Sequence, residues 1–236
     1  MRRQEDVVGK GITKLRILPV LIAALVSAQQ ETLAQKADQS HVVPLKSLSR
    51  LEMDKRLETV SGDPAKAGEP FVIRIHAEAG YIIMPHTHPV DENIVVVKGS
   101  WALGRGDRFN RDTLEPMEVG DYGFAAKKMA HFALAKSYTI VQVHGIGPFT
   151  TQWVVPVYEL TNKGVLLKAS ANDPGRPVEM GSEGCFALKL GTRVRGSHGE
   201  GAIVGAQSNP GELTQYRIEK SDGDRFWAQR EELSTP

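Results

Sequence analysis

The stretch from Gly80 to Gly99, GYIIMPHTHPVDENIVVVKG, constrains this chain most: His86 and His88 stand two apart, and Glu92 follows four residues later. Alternate residues of a strand share a face. With Pro85 to His88 extended, both imidazoles point to one side, and after the turn at Pro89 the side chains of Glu92, Ile94 and Val96 can line that side too. Two nitrogens and one carboxylate then converge. Such donors suit one divalent transition metal, with Mn, Fe, Co, Ni, Cu and Zn left undistinguished, whereas Ca or Mg would want mostly oxygen. The plainer alternative is an exposed His-x-His turn beside a glutamate on a solvated strand.

The surroundings read as mostly β. Short runs such as Phe71 to Ile75, Ile94 to Val97, Trp101 to Leu103 and Ile140 to Val143 are separated by Gly, Pro and Asp turns, the pattern of antiparallel strands. Hydrophobic residues make up 41% and charged residues 24%, enough apolar surface for a sizeable core. The length of 236 residues suits one medium and one small domain.

The spacing Gly, five residues, His, one, His, three, Glu, six, Gly resembles the first motif of the cupins, and Gly80, His86, His88, Glu92 and Gly99 satisfy every position. The second cupin motif runs Gly, five residues, Pro, one, Gly, two, His, three, Asn. Gly120 and His131 match it, while Ala126, Lys128 and Ala135 occupy the Pro, second Gly and Asn positions. The resemblance implies a jelly-roll barrel over residues 46–158, with a metal in its wider mouth held by His86, His88, Glu92 and His131. Four such ligands leave two positions open in an octahedral shell, where water, dioxygen or a chelating substrate can bind. His131 has an alternative as a core histidine on the strand that continues through Phe132.

Other residues near these motifs have weaker claims. Gln142 and His144 share a strand face, and parity alone does not say whether that face is inward. Tyr81, Trp101, Tyr122 and Phe132 can wall a pocket or simply fill the core. Lys127 and Lys128 can attract an anion to the mouth or form a solvated turn.

Past the barrel, residues 159–185 contain Asn172-Asp173-Pro174-Gly175 with little periodicity and read as a linker or embracing arm. In residues 186–236 the runs Thr192 to Arg195, Ala202 to Val204, Thr214 to Ile218 and Phe226 to Ala228 recur at short spacing. They resemble SH3-like barrels of the Tudor or KOW kind. Tyr216, Phe226 and Trp227 can form a groove there, but a barrel of this size needs its aromatics as core.

At the other end, residues 1–28 combine a basic stretch with the apolar segment ILPVLIAALVSA from Ile17 to Ala28, the pattern of a signal peptide. A buried strand or helix is the alternative. Twelve residues are short for a bilayer span, so no membrane span is expected after cleavage, and residues 29–45 read as a linker. Export to the periplasm or medium follows. Beyond residue 28 there are 24 basic and 26 acidic groups, with no basic stripe, and nucleic acid is not an expected partner. Cys185 is the only cysteine, which excludes an intrachain disulfide and Cys-rich metal sites.

The functional expectation is an exported metal-binding cupin, either a metal-dependent enzyme acting on a small oxygenated molecule by dioxygenase-like or lyase/isomerase-like chemistry, or a non-catalytic envelope protein that binds or senses a metal or ligand. The partner is a small-molecule ligand or substrate, and a homodimer stays open. No catalytic acid or base stands out from the sequence.

Overall fold

The computed structural model describes residues 42–45, 57–163, 166–169, 176–177, 186–209 and 213–236. The stretch read as a signal peptide, nearly all of the linker after it, and Cys185 lie outside the described residues. The chain divides into two units, residues 1–46 and 47–236; of the first, only the irregular backbone of residues 42–45 is described. Among the described residues no helix is long and apolar enough to cross a membrane.

Ten strands precede residue 154: β1 Leu57–Ser61, β2 Pro70–Ala77, β3 Ile82–Thr87, β4 Glu92–Lys98, β5 Trp101–Arg105, β6 Glu115–Met117, β7 Tyr122–Ala125, β8 His131–Ala135, β9 Thr139–Ile146 and β10 Gln152–Trp153. They pair into two antiparallel five-stranded sheets, ordered β1-β2-β9-β4-β7 and β10-β3-β8-β5-β6. The expected mostly-β architecture is therefore present, and the paired sheets are jelly-roll-like. Each sheet sends alternate residues inward. In β4, Glu92, Ile94 and Val96 are buried while Asn93, Val95 and Val97 are less so. Phe71, Ile73, Ile94, Val96, Val141 and Val143 from the first sheet meet Trp101, Leu103, Ala133 and Ala135 from the second in one apolar core.

Within residues 159–185, read as a linker or embracing arm, the described residues include strands. β11 (Val157–Leu160), β12 (Leu166–Ala169) and β13 (Arg176–Pro177) join β14 (Arg193–Gly196), β15 (Gly199–Asn209), β16 (Leu213–Glu219) and β17 (Arg225–Gln229) in one seven-stranded antiparallel sheet. These strands are short and their partners are distant in sequence: β11 finds its pair in β15, with Leu160 opposite Ala206.

Tyr216, Phe226 and Trp227 are all buried, so none of them forms an open groove. Tyr216 and Phe226 fill the core of this sheet, whereas Trp227 belongs to the core of the preceding barrel, its ring 5.2 Å from that of Tyr81. The backbone follows the same path, with Trp227 N–H donating to the Ala79 carbonyl at 2.7 Å. Gly80, with φ of +81°, lies against the Trp227 carbonyl so closely that a Cβ would collide with it.

Candidate metal centre

Four side chains singled out from the sequence come together at one end of the space between the two sheets. His86 near the end of β3 pairs directly with His131 at the start of β8, which places the two imidazoles side by side with ring centroids 4.2 Å apart. His88 follows the end of β3, its ring 4.8 Å from that of His86. Glu92 opens β4 in the opposite sheet. All four are buried, between 2% and 5% exposed. The exposed His-x-His turn considered for the sequence is thereby set aside.

The backbone fixes the orientation of each ring. Nδ1 lies 2.8 Å from the Met84 carbonyl in His86, 2.8 Å from the Thr150 carbonyl in His88, and 3.0 Å from the Met129 carbonyl in His131. A carbonyl only accepts, so each Nδ1 carries a proton, and in the neutral ring Nε2 is left with its lone pair. One ligand atom from each of the three rings falls within 4.8 Å of the others. The Glu92 Oε2 atom stands 3.0 Å from His131 Nε2 and 3.6 Å from His88 Nε2. None of these three atoms makes an aligned hydrogen bond among the described residues. Burying polar atoms without partners costs about 1–3 kcal/mol each, and converging orphans of this kind are what a ligated cation would satisfy. Three imidazole nitrogens and a carboxylate oxygen thus fit a borderline divalent transition metal.

Electrostatics divide the rings. Burial pushes the pKa of His86 well below its ordinary value, and the neighbouring His131 and His88 add to this. Burial also lowers that of His88, against the pull of Glu92. Burial opposes charge on His131 as well, but there contact with the Glu92 carboxylate and its charge prevail, and the pKa is raised.

The other side chains weighed from the sequence sort by face. Tyr81 and Trp101 line a cavity of about 180 Å³ that runs from the histidines into the barrel. Phe132 points away from it, filling the space over Gly104 and meeting Phe109 at 5.3 Å, and Tyr122 is exposed. Val141 and Val143 line the cavity while Gln142 and His144 do not, so strand parity turns that polar pair away from the site. The Lys127 N–H caps the Asp91 carboxylate at 2.8 Å. Lys128, where the cupin motif has glycine, takes the left-handed φ of +63°, and its N–H donates to the His88 carbonyl at 2.7 Å.

Three contributors had no signal in the sequence. Phe149 stacks on His88 with ring centroids 4.1 Å apart and planes at 23°, the Thr150 carbonyl orients the same ring, and Trp153 lies 5.4 Å from His86. They belong to the segment after β9 that returns along β3, where Trp153 pairs with His86. Only the turn signals around Pro148 hinted at a return, and those do not identify the partner strand.

No family model matches the chain, and no curated protein does either. Among solved structures, the chain is similar to an RmlC-like cupin protein from Desulfovibrio desulfuricans (23% identity, 47% of this chain and 96% of that one, TM-score 0.36). It is also similar to an uncharacterized conserved protein with a double-stranded β-helix domain from Klebsiella pneumoniae (17% identity, 48% and 96%, TM-score 0.34). A third is KdgF from a Halomonas species (19% identity, 37% and 74%, TM-score 0.31).

Proposed function

We propose that this chain is an exported cupin with a single divalent transition metal on His86, His88, Glu92 and His131, acting on a small oxygenated molecule by dioxygenase-like chemistry. The observation that carries the reading is the common orientation of the three imidazoles: each Nδ1 is committed to a backbone carbonyl, which leaves three Nε2 lone pairs beside one carboxylate. A metal held there supplies a Lewis acid for a bound oxygen and, where redox-active, a partner for dioxygen.

The walls favour dioxygenase-like over lyase- or isomerase-like chemistry. Proton abstraction and return at a substrate carbon require an acid and a base within reach of it. Apart from the four proposed ligands and Tyr81, the cavity walls among the described residues are apolar or carry only Thr151 and the indoles of Trp101 and Trp153. The same scarcity supports a second reading, a non-catalytic protein that binds or senses a metal or small ligand. The apolar segment Ile17 to Ala28 supports export. In this proposal the C-terminal strands, SH3-like in their spacing, brace the barrel, a role supported by Trp227 within the barrel core.

The test begins with metal content after purification without chelator. One equivalent in the parent chain, with strong losses in His86→Ala, Glu92→Ala and His131→Ala, is expected, and equal metal in all four proteins would refute the site. Oxygen uptake by protein loaded in turn with Fe, Mn, Cu and Ni, offered a panel of small hydroxy and carbonyl compounds, then separates the two readings. Silence throughout favours the binding protein.

A further inference from the structure

One step of strand beyond the proposed ligands, the cavity wall changes from polar to hydrocarbon on both sheets. In the first sheet Ile94 follows Glu92 by two residues and stands opposite Val143. In the second, Ala133 follows His131 by two and stands opposite Leu103 on one side and Ile83 on the other. All five side chains line the cavity. Two residues of strand advance about 7 Å, on the order of one aromatic ring.

Further in, the wall continues with Val141, and the indole N–H of Trp101 is closed to solvent, so it presents no donor to the cavity. Among the described residues, Tyr81 is the one other polar side chain that lines this part, and its ring packs on Trp227. A volume of about 180 Å³ exceeds the roughly 150 Å³ of an apolar cavity known to take up benzene. A ligand with hydroxyls along its length would leave each of them against hydrocarbon without a partner, which burial penalises. An apolar body instead gains by leaving water.

We propose that the barrel takes a small molecule with a single polar end: two neighbouring oxygens that chelate the metal, carried directly on an apolar body about one ring in size. This rests on the metal reading above and adds the class of ligand. The five side chains of the first hydrocarbon step then decide specificity. They accept an aryl or branched alkyl group and turn away sugars and polyhydroxy acids.

The experiment uses the full chain loaded with zinc and three hydroxamates that share one chelating head. Acetohydroxamate has no ring, benzohydroxamate has an apolar one, and isonicotinohydroxamate matches the second in shape but places a ring nitrogen where the other has a CH. Calorimetry should show benzohydroxamate bound roughly tenfold or more tightly than either of the others. In NMR spectra its ring current should shift the methyl signals of Ile94 and Val143, which acetohydroxamate leaves in place. Ala133→Leu and Val143→Phe, one from each sheet, fill the space taken by the ring and should each erase its advantage, with bound zinc as the check that the site has formed. The comparison on the parent chain stands whether or not these variants fold. Equal affinities for benzohydroxamate and either of the others, a ring advantage that survives both substitutions, unmoved methyl signals, or zinc bound with no hydroxamate taken up would each overturn the proposal. Failure to bind zinc would instead refute the metal reading on which it stands.

Discussion

Arg217 of β16 grips Glu78, just beyond β2, with two hydrogen bonds: Nε to Oε2 at 2.8 Å and Nη2 to Oε1 at 2.6 Å. Trp227 Nε1 donates to the same Oε2 at 3.0 Å. Both members of the ion pair are about 7% exposed, so the C-terminal sheet is joined to the barrel by a charge pair almost closed to water. Removing one member strands the other. Glu78→Gln is expected to lower the unfolding free energy by about 3–5 kcal/mol, and the double replacement Glu78→Leu with Arg217→Met to recover much of that loss. Urea denaturation of the three proteins checks it; a double variant less stable than Glu78→Gln would show that the pair is not the cause.

Gly80 gives a second prediction from the same junction. At φ of +81° an alanine is strained, and its Cβ would meet the backbone carbonyl of Trp227, which cannot swing aside as a side chain tip would. Gly80→Ala should cost more than the ~1 kcal/mol of the left-handed conformation alone, with Trp227 fluorescence shifted to the red as its indole loses its burial. An unshifted spectrum with unchanged stability would contradict the packing described here.

Lys128 offers the opposite test. Its left-handed backbone is disfavoured for a lysine, and only its N–H, not its side chain, is used against the His88 carbonyl. Lys128→Gly should therefore stabilise the protein by about 0.5–1 kcal/mol, the relief of the left-handed cost less the added freedom of glycine in the unfolded chain. Thermal melting at equal metal loading measures it, and a fall in melting temperature would count against the argument.

The unequal histidines predict a proton inventory. Near pH 7 burial already keeps His86 and His88 neutral, whereas Glu92 holds the pKa of His131 above its ordinary value. Metal binding at that pH should release protons chiefly from His131. Affinity should fall as pH drops, with His131 protonated first and His88 and His86 only at lower pH. For the metal-free protein the signs are separate. The raised pKa of His131 favours the fold below about pH 6.5, and that contribution is lost as pH rises through the folded value. The lowered values of His86 and His88 act the other way, costing stability as pH falls below the unfolded value. Calorimetry of zinc binding in buffers of different ionisation enthalpy gives the count, and zero protons released at pH 7 would refute the His131 assignment.

The candidate site was legible in sequence because its members are local. His86, His88 and Glu92 lie within one strand-turn-strand unit, where a period of two decides which side chains share a face. His131 needed a motif, and its pairing with His86 came from strand register. The four strand runs of the C-terminal region were legible for the same local reason. What escaped was every long-range partnership: the return of Phe149 to Trp153 along β3, the pairing of β11 with β15, and the burial of Trp227 in the barrel.

Alone, then, the sequence determined the β character, the His-x-His-x-x-x-Glu spacing and the side of the strand those residues share, since all follow from covalent geometry and side-chain alternation. Tertiary structure decided that the Thr150 carbonyl orients His88, which aromatics line the cavity, and that the C-terminal sheet sends Trp227 into the barrel core. The first and last of these depend on segments 62 and 149 residues apart meeting in the fold, a choice made by the summed burial of both and written in neither.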